Sequence, residues 1–248
     1  MRRATVAVLL GLALYHLLLT LFTVSSFGLR YPFMDQFRLN LRYLTTPFPQ
    51  NVLALENGHR PVLPGIVRVI ELNWLGGTQL LQKLTASLAA IGVAAILWAG
   101  IKRDMRKDSV LIAAAVCALF TLLTWNANAR MFIHAYEAMH VFYVTLFLVV
   151  AIHFVIRDPF ERGLKPIAFS IAACVGETFS FGPGIASFTA IMAIGILQRR
   201  EPKVLALIAV AAFTTLLLYY FALPGAEGVR GGSLDSRFEL PLSFLWLA

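Results

Sequence analysis

Long apolar segments recur along this chain, and several reach about 20 residues, the length that a helix needs to cross a bilayer. The first, from Ala4 to Leu29, contains no charged side chain. Charged residues make up only 14% of the 248 residues, whereas a soluble domain carries about 25%. The pattern predicts an all-α polytopic membrane protein. It argues against a transmembrane barrel, whose strands are short segments of alternating polarity.

The apolar segments predict about seven to eight transmembrane helices that form a single transmembrane domain over residues 1–248. After the first segment they fall at Leu80–Ile101, Val110–Trp125, Val141–Ile156, Ile167–Phe179, Ile185–Leu197 and Val204–Leu223, with a partial segment at Leu240–Ala248. Because the last segment is too short to cross a bilayer, we expect residues 1–248 to be the N-terminal part of a longer chain.

Basic residues are concentrated in the linkers that this topology places on one side of the membrane. Twelve of the 21 Lys and Arg residues lie there: Arg2, Arg3, Lys102, Arg103, Arg106, Lys107, Arg157, Arg162, Lys165, Arg199, Arg200 and Lys203. Since basic linkers stay cytoplasmic, we expect a multi-pass membrane protein with a cytoplasmic N-terminus. The net charge of +8 therefore reflects topology and does not indicate a nucleic-acid partner.

The predicted outward segment 30–77 is too long to be a simple connector. Its first part, MDQFRLNLRYL, places Phe37, Leu41 and Leu44 at helical spacing, as in amphipathic helices that lie at a membrane surface. A proline-rich break follows, and a second helix is predicted to end at the Gly76–Gly77 pair. Ordered loops of this length commonly carry function.

The charged residues of this segment suit a particular chemistry. An outward-facing membrane enzyme uses lipid-linked donors, chiefly polyprenyl-phosphate sugars. A carboxylate must accept the proton of the acceptor hydroxyl, and cationic groups must stabilise the departing phosphate. Asp35 is the candidate base, and the candidate phosphate-binding residues are Arg38, His59, Arg60 and Arg68. The alternative for Arg38 is simple anchoring at the membrane interface.

Two further polar stretches are predicted to lie on the same side. WNANARMFIHAYEAMH supplies Asn126, Glu137 and His140, which are candidates for hydrogen bonds to sugar or phosphate. A metal site at His134, Glu137 and His140 is less favoured than a polar network between helices, so no cofactor is predicted, although a divalent cation stays possible. GETFSFGPG supplies Glu177, either beside an anion-binding turn or simply at the outer interface.

These motifs, in their order, resemble the glycosyltransferase C superfamily, in which the first outward loop carries a catalytic acidic residue. The match falls on Asp35 in PFMDQF, and ENGHRP, WNANARMFIHAYEAMH and ETFSFGPGIASF resemble later elements of bacterial members. The resemblance covers most of residues 20–190 and implies a location in the bacterial inner membrane. Phe37 stands where an aromatic Trp is usual, and Gln36 stands where a second acidic residue is common.

The resemblance implies a GT-C-like fold and sugar transfer from a polyprenyl-phosphate donor on the extracytoplasmic side, with inversion and with Asp35 as general base. The expected partners are that donor and membrane lipids, and partner membrane subunits are possible. Two alternatives stay open: a non-catalytic integral membrane subunit of a larger complex, and a lipid or glycolipid transporter. A transporter would need paired broken helices, and the sequence offers one break, near Gly182.

Overall fold

The computed structural model describes residues 2–28, 36–56, 58–105, 108–124, 133–156 and 164–223. Every regular element within these ranges is helical, which confirms the predicted all-α class. The α-helices are α1 (Arg2–Phe27), α2 (Gln36–Thr45), α3 (Gln50–Leu53), α4 (Val62–Trp74), α5 (Leu80–Asp104), α6 (Ser109–Leu123), α7 (Ala135–Ile156), α8 (Leu164–Thr178), α9 (Ala186–Leu197) and α10 (Pro202–Leu217). A 3₁₀ turn, Gly182–Ile185, precedes α9, and a π turn, Leu218–Ala222, follows α10.

Four helical segments within these ranges are long and apolar enough to cross a membrane: Arg2–Phe27, Leu80–Asp104, Ala135–Ile156 and Pro202–Phe221. Two more, Ser109–Leu123 and Gly182–Leu197, are apolar but shorter. Many of their leucines and phenylalanines are exposed, among them Leu14, Leu88 and Phe213. Exposed apolar side chains along apolar helices fit a protein whose surface faces lipid.

Helix α7 is central to the helix bundle and packs against both α5 and α8. Small residues allow the backbones to approach closely, as is usual between membrane helices. A Cβ atom at Gly176 of α8 would lie 2.8 Å from the ring of Phe147, and one at Gly92 of α5 would lie 2.9 Å from Leu146. In the C-terminal half of α7, Ala151 and Val155 pack with residues of α8, α9 and α10. Together they form the largest buried apolar cluster among the described residues.

Helices α1 and α6 form a second packed unit. They make extensive mutual contact, and the Thr20 hydroxyl donates to the Thr124 carbonyl oxygen at 2.9 Å. Thr124 directly follows α6, and Thr20 lies about two turns before the end of α1, so α6 ends beside the C-terminal half of α1. Apart from its contacts with α6, most of α1 is exposed, which leaves an apolar helix for lipid to cover.

Two sets of hydrogen bonds define opposite ends of the bundle. At one end Arg200, in the linker between α9 and α10, donates to the Val155 carbonyl near the end of α7 at 3.1 Å. At the other end the Leu63 amide donates to the Phe179 carbonyl at 3.1 Å, which joins the start of α4 to the end of α8. We call these the Arg200 end and the His59 end, the latter after the loop that precedes α4.

The segment between α1 and α5 contains the predicted amphipathic helix, which is α2. Leu39 and Tyr43 of α2 are buried against α4, whereas Phe37, Leu41 and Leu44 are about 60% exposed. The junction with α5 is closed by Glu71 of α4, whose carboxylate accepts the backbone N–H groups of Leu81 and Gln82 at 3.3 and 3.2 Å. This carboxylate satisfies the otherwise unpaired amides at the start of α5 and complements the helix dipole.

Candidate anion-binding site

The His59 end is held together by Arg60, one of the most buried side chains described, at 1% exposure. Its Nε donates to the Tyr219 carbonyl at 2.6 Å, and its two terminal nitrogens donate to the carbonyls of Leu53 and Leu223. Its backbone N–H donates to the Tyr219 hydroxyl at 2.8 Å. Arg60 therefore joins the loop before α4 to the π turn that follows α10. The acceptors of these side-chain hydrogen bonds are backbone carbonyls.

Arg68, also 1% exposed, is used differently. Its guanidinium carbon lies 3.7 Å from the centroid of the Tyr136 ring and 5.3 Å from that of Tyr43. Such stacking stabilises a buried guanidinium by about 2 kcal/mol when both partners are desolvated. Burial nevertheless lowers the pKa of Arg68, because the charged form has lost its water. The helix α4 thus presents a cation between two tyrosines, one from α2 and one from α7.

Beside Arg68 lies a carboxylate, Glu56, which the turn before α4 fixes through a pair of backbone hydrogen bonds with His59. Arg42 of α2 donates to Glu56 Oε2 at 3.2 Å and to the Leu55 carbonyl at 3.1 Å. Burial raises the pKa of Glu56, and the charges of Arg68 and Arg42 partly oppose that rise. Glu56 therefore links α2 to the loop and sets the local charge near Arg68.

Aromatic rings extend the cluster from Arg68 towards α8. His140 of α7 contacts the edge of Tyr136, with ring centroids 4.1 Å apart, and stacks on Phe181 at 5.2 Å and 20°. His59 contacts Phe181 as well, at 4.3 Å. The turn can approach this closely because residue 182 is glycine: a Cβ there would lie 2.6 Å from His59 Nδ1 and 2.7 Å from the Tyr219 hydroxyl.

Beside the Tyr136 ring, two buried nitrogen atoms have no hydrogen-bond partner among the described residues: Nη1 of Arg68 and Nε2 of His140. They belong to different helices, α4 and α7, and Tyr136 contacts both side chains. An unpaired buried donor costs about 1–3 kcal/mol, more for a charged group. A ligand with acceptor oxygens and negative charge, such as a phosphate, has the chemistry that such nitrogens lack. We call Arg68, His140 and the rings around them the Arg68–His140 site.

The predicted site residues fall into three groups. Arg68 and His140 form this site, and His59 and Arg60 lie in the loop next to it. Arg38 is exposed on α2, Glu137 is partly buried in the first turn of α7, and Glu177 is buried at the end of α8. Asp35 and Asn126 lie outside the described residues.

Sequence reasoning did not select Arg42, Tyr43, Glu56, Tyr136 or Phe181 as site residues. Glu56 had a signal, because it stands in the same ENGHRP motif as His59 and Arg60. The three aromatic residues had no signal of their own, because rings normally pack in a core. Tyr43 lies in the amphipathic stretch, and Tyr136 and Phe181 lie in the two polar stretches, where only charged and amide side chains and His140 were selected. Only the fold brings α2, α7 and the turn after α8 together around Arg68.

Nothing in the described ranges gathers three His, Cys, Asp or Glu side chains in positions that could hold a metal ion. In the predicted trio, His134 directly precedes α7 and is buried, Glu137 is partly buried in the first turn of α7, and His140 is buried in the next turn. The favourable chemistry of the Arg68–His140 site is anion binding, because a guanidinium is a poor neighbour for a metal cation.

Comparisons with protein-family models, with curated proteins and with solved structures found no match to this chain. The class that the fold itself defines is that of helical proteins with several apolar helices of membrane-spanning length.

Proposed function

We propose that this protein is a membrane glycosyltransferase that transfers a sugar from a polyprenyl-phosphate donor to an acceptor on the extracytoplasmic side. The observation that carries the proposal is the Arg68–His140 site, where two buried nitrogens without partners among the described residues adjoin aromatic rings. A phosphate group supplies the missing acceptors, and the apolar helix surfaces supply a lipid phase for the prenyl chain. The resemblance of PFMDQF and ENGHRP to the glycosyltransferase C superfamily supports the same reading.

Connectivity supports seven crossings within the described part of the chain. If α1, α5, α7 and α10 span the bilayer, α6 must return the chain between α5 and α7, and the Thr20–Thr124 bond holds the end of α6 beside the C-terminal half of α1. Helix α8 and the Gly182–Leu197 segment then form a short antiparallel pair. In this proposal the Arg200 end lies in the cytoplasm and the His59 end lies outside, on the two sides of the bacterial inner membrane, because the basic linkers are at the Arg200 end.

In the proposed reaction the acceptor hydroxyl oxygen attacks the anomeric carbon from the face opposite the phosphate. The bond between that carbon and the phosphate oxygen breaks, and the configuration inverts. Asp35 takes the hydroxyl proton, and Arg68 Nη1 and His140 Nε2 donate to the phosphate oxygens as negative charge develops there. Asp35 directly precedes Gln36, the first residue of α2, whose side-chain oxygen accepts from Gln79 at 3.3 Å. The role of Asp35 rests on the sequence.

The test is binding and turnover of polyprenyl-phosphate sugar by purified protein in nanodiscs. Arg68→Met and His140→Phe keep much of the side-chain volume but remove the unpaired nitrogen. Each lost charge-assisted hydrogen bond should weaken binding of polyprenyl phosphate about 10- to 100-fold. Arg103→Met is the matched control, because Arg103 is exposed at the other end of α5 and pairs with Asp104.

Asp35→Asn should abolish turnover while leaving donor binding intact. Equal donor affinity in wild type, Arg68→Met and His140→Phe, with all three proteins folded, would contradict the phosphate site. Donor binding without sugar transfer by wild type would favour the transporter or the non-catalytic subunit instead.

A further inference from the structure

An open cavity of about 380 Å³ lies on the surface of α5, in the last two turns of the helix. Its lining consists of Trp98, Ala99, Lys102 and Arg103. The small side chain of Ala99 leaves room between the Trp98 ring and the two basic side chains. This part of α5 is at the Arg200 end of the bundle, opposite the junction with α4 and away from the Arg68–His140 site.

A stripe of exposed apolar side chains leads along α5 to this cavity. Its members recur every three or four residues and therefore lie on one face of the helix. They are Leu84, Leu88, Ile91, Ala95 and Trp98. Lys102 continues the same spacing, and the rise from Leu84 to Lys102 is about 27 Å, close to the thickness of the hydrocarbon core. An acyl chain that covers this stripe would therefore end beside the cavity.

The level of the cavity on the helix suits the headgroup region of a bilayer. Tryptophan is enriched at the interface between membrane and water, where its ring lies among the headgroups. Trp98 is 40% exposed, and Lys102 lies on the same face about 6 Å further along the axis. A lysine one turn beyond an interfacial ring can reach the level of lipid phosphates with its flexible side chain.

The charge of the cavity matches one phosphate diester. Arg103 donates to the carboxylate of Asp104 through Nε at 2.7 Å and through Nη2 at 3.2 Å, so these two charges offset each other. Lys102 then supplies one net positive charge among these three residues. An ammonium group binds phosphate as a point charge. One monoanionic phosphate therefore balances the cavity.

We propose that this cavity binds the headgroup of an anionic phospholipid. The phosphate lies at Lys102, the glycerol backbone lies against Trp98 and Ala99, and an acyl chain follows the stripe on α5. Inorganic phosphate would match the charge but would leave the apolar part of the cavity and the stripe unused. Anionic lipids at the cytoplasmic surface attract basic segments next to membrane helices, which agrees with a site at the basic end of this bundle.

The test is the quenching of Trp98 fluorescence by lipids with brominated acyl chains. The full chain, with Trp74, Trp125 and Trp246 replaced by phenylalanine, is placed in phosphatidylcholine bilayers that contain a small fraction of brominated lipid. Brominated phosphatidylglycerol should quench Trp98 as if its local fraction were about fivefold above its bulk fraction. Brominated phosphatidylcholine should quench according to its bulk fraction.

Two substitutions remove different parts of the site. Lys102→Gln removes the charge, and Ala99→Leu fills the cavity without changing charge, so each should abolish the preference for phosphatidylglycerol. Lys203→Gln is the control for charge, because Lys203 is exposed at the same end and pairs with Glu201. Ala95→Leu is the control for volume, since it adds the same atoms to the stripe one turn away. Both controls should keep the preference.

Equal quenching by the two lipids in the parent protein would overturn the proposal. A preference that persists in Lys102→Gln or in Ala99→Leu would also overturn it. Displacement of phosphatidylglycerol by inorganic phosphate at constant ionic strength would show that the cavity takes a soluble anion instead. If the protein with Trp98 alone fails to fold, native mass spectrometry of phosphatidylglycerol retained by the natural chain and by Lys102→Gln decides.

The site is independent of the proposed glycosyltransferase activity. Arg68→Met, which should weaken binding of polyprenyl phosphate, should keep the preference for phosphatidylglycerol at Trp98. A loss of that preference in folded Arg68→Met would overturn the separation of the two sites.

Discussion

At the scale of single residues, the glycine at 184 is the position where one added methyl group should matter most. An alanine Cβ there would lie 2.5 Å from the Glu177 carbonyl carbon and 2.6 Å from its oxygen, and backbone atoms cannot move aside as a side chain can. We expect Gly184→Ala to destabilise the protein by about 1–3 kcal/mol or more. Gly100→Ala, in α5 with no atom within 4 Å of the new Cβ, should be neutral or stabilising by up to about 1 kcal/mol. Denaturant unfolding of both variants tests the pair, and equal stabilities would contradict it.

His59 gives a second prediction at this scale, in the form of a pH dependence. Burial against Phe181 lowers the pKa of His59 below its ordinary value of 6.5. Its contribution to stability is therefore full above that value and is lost as the pH falls through the lowered pKa. Arg60, Tyr219 and His140 surround it, and Glu56, whose pKa is raised by burial, contributes in the opposite direction. We expect His59→Gln to lose less stability than wild type between pH 7.5 and pH 5.

Melting temperatures of the two proteins across that range provide the measurement. Because Glu56 and the other titrating groups are present in both, the difference between the two curves isolates His59. Parallel curves would show that the ring at position 59 does not resist protonation.

At the scale of helices, the apolar runs predicted which elements exist but misplaced some of their boundaries. The fourth predicted segment begins at Val141, whereas α7 begins at Ala135. The six extra residues include Glu137 and His140. Because these side chains are polar, a hydropathy pattern assigns them to the loop before the helix. They are helical because other helices and rings cover them, which only the tertiary fold reveals. The same cause hid the candidate site: Tyr43, Tyr136 and Phe181 lie far apart in sequence and meet only around Arg68 and His140.

The junction between α4 and α5 supplies a prediction about an element. Gly76 and Gly77 adopt positive φ angles of 62° and 72° and let the chain reverse, so that Glu71 caps the start of α5. Glu71→Ala would leave buried N–H groups without an acceptor and should destabilise the protein by about 1–3 kcal/mol. Asp104→Ala removes an exposed carboxylate at the opposite end of the same helix and should change stability by less than about 0.5 kcal/mol. An equal effect of the two substitutions in denaturant unfolding would rule out the capping role.

At the scale of the whole molecule, charged and polar side chains lie mainly at the two ends of an apolar helix bundle. The buried arginines, the aromatic cluster and Glu177 lie towards the His59 end, and Arg103, Arg200 and Lys203 lie at the other. Charge counting in the sequence predicted this division without any geometry, because basic residues near apolar segments mark one side of a membrane. The short α6, α8 and α9 were visible in the sequence as well, because the predicted segments Val110–Trp125, Ile167–Phe179 and Ile185–Leu197 are themselves shorter than a typical membrane-spanning helix.

The division of ends leads to a prediction about orientation in cells. Gln50, on α3, and Lys203, at the start of α10, are both exposed and lie at opposite ends of the bundle. In a Cys117→Ala background, where the remaining Cys174 is fully buried, each position can be replaced with cysteine singly. We expect a membrane-impermeant maleimide to label Gln50→Cys on intact spheroplasts and Lys203→Cys only after lysis, because the basic end should be cytoplasmic. The reverse pattern would put the Arg68–His140 site inside the cell, where soluble nucleotide sugars are available and the argument for a lipid-linked donor no longer holds. Labelling of both cysteines from one side would instead show that the bundle does not separate two compartments.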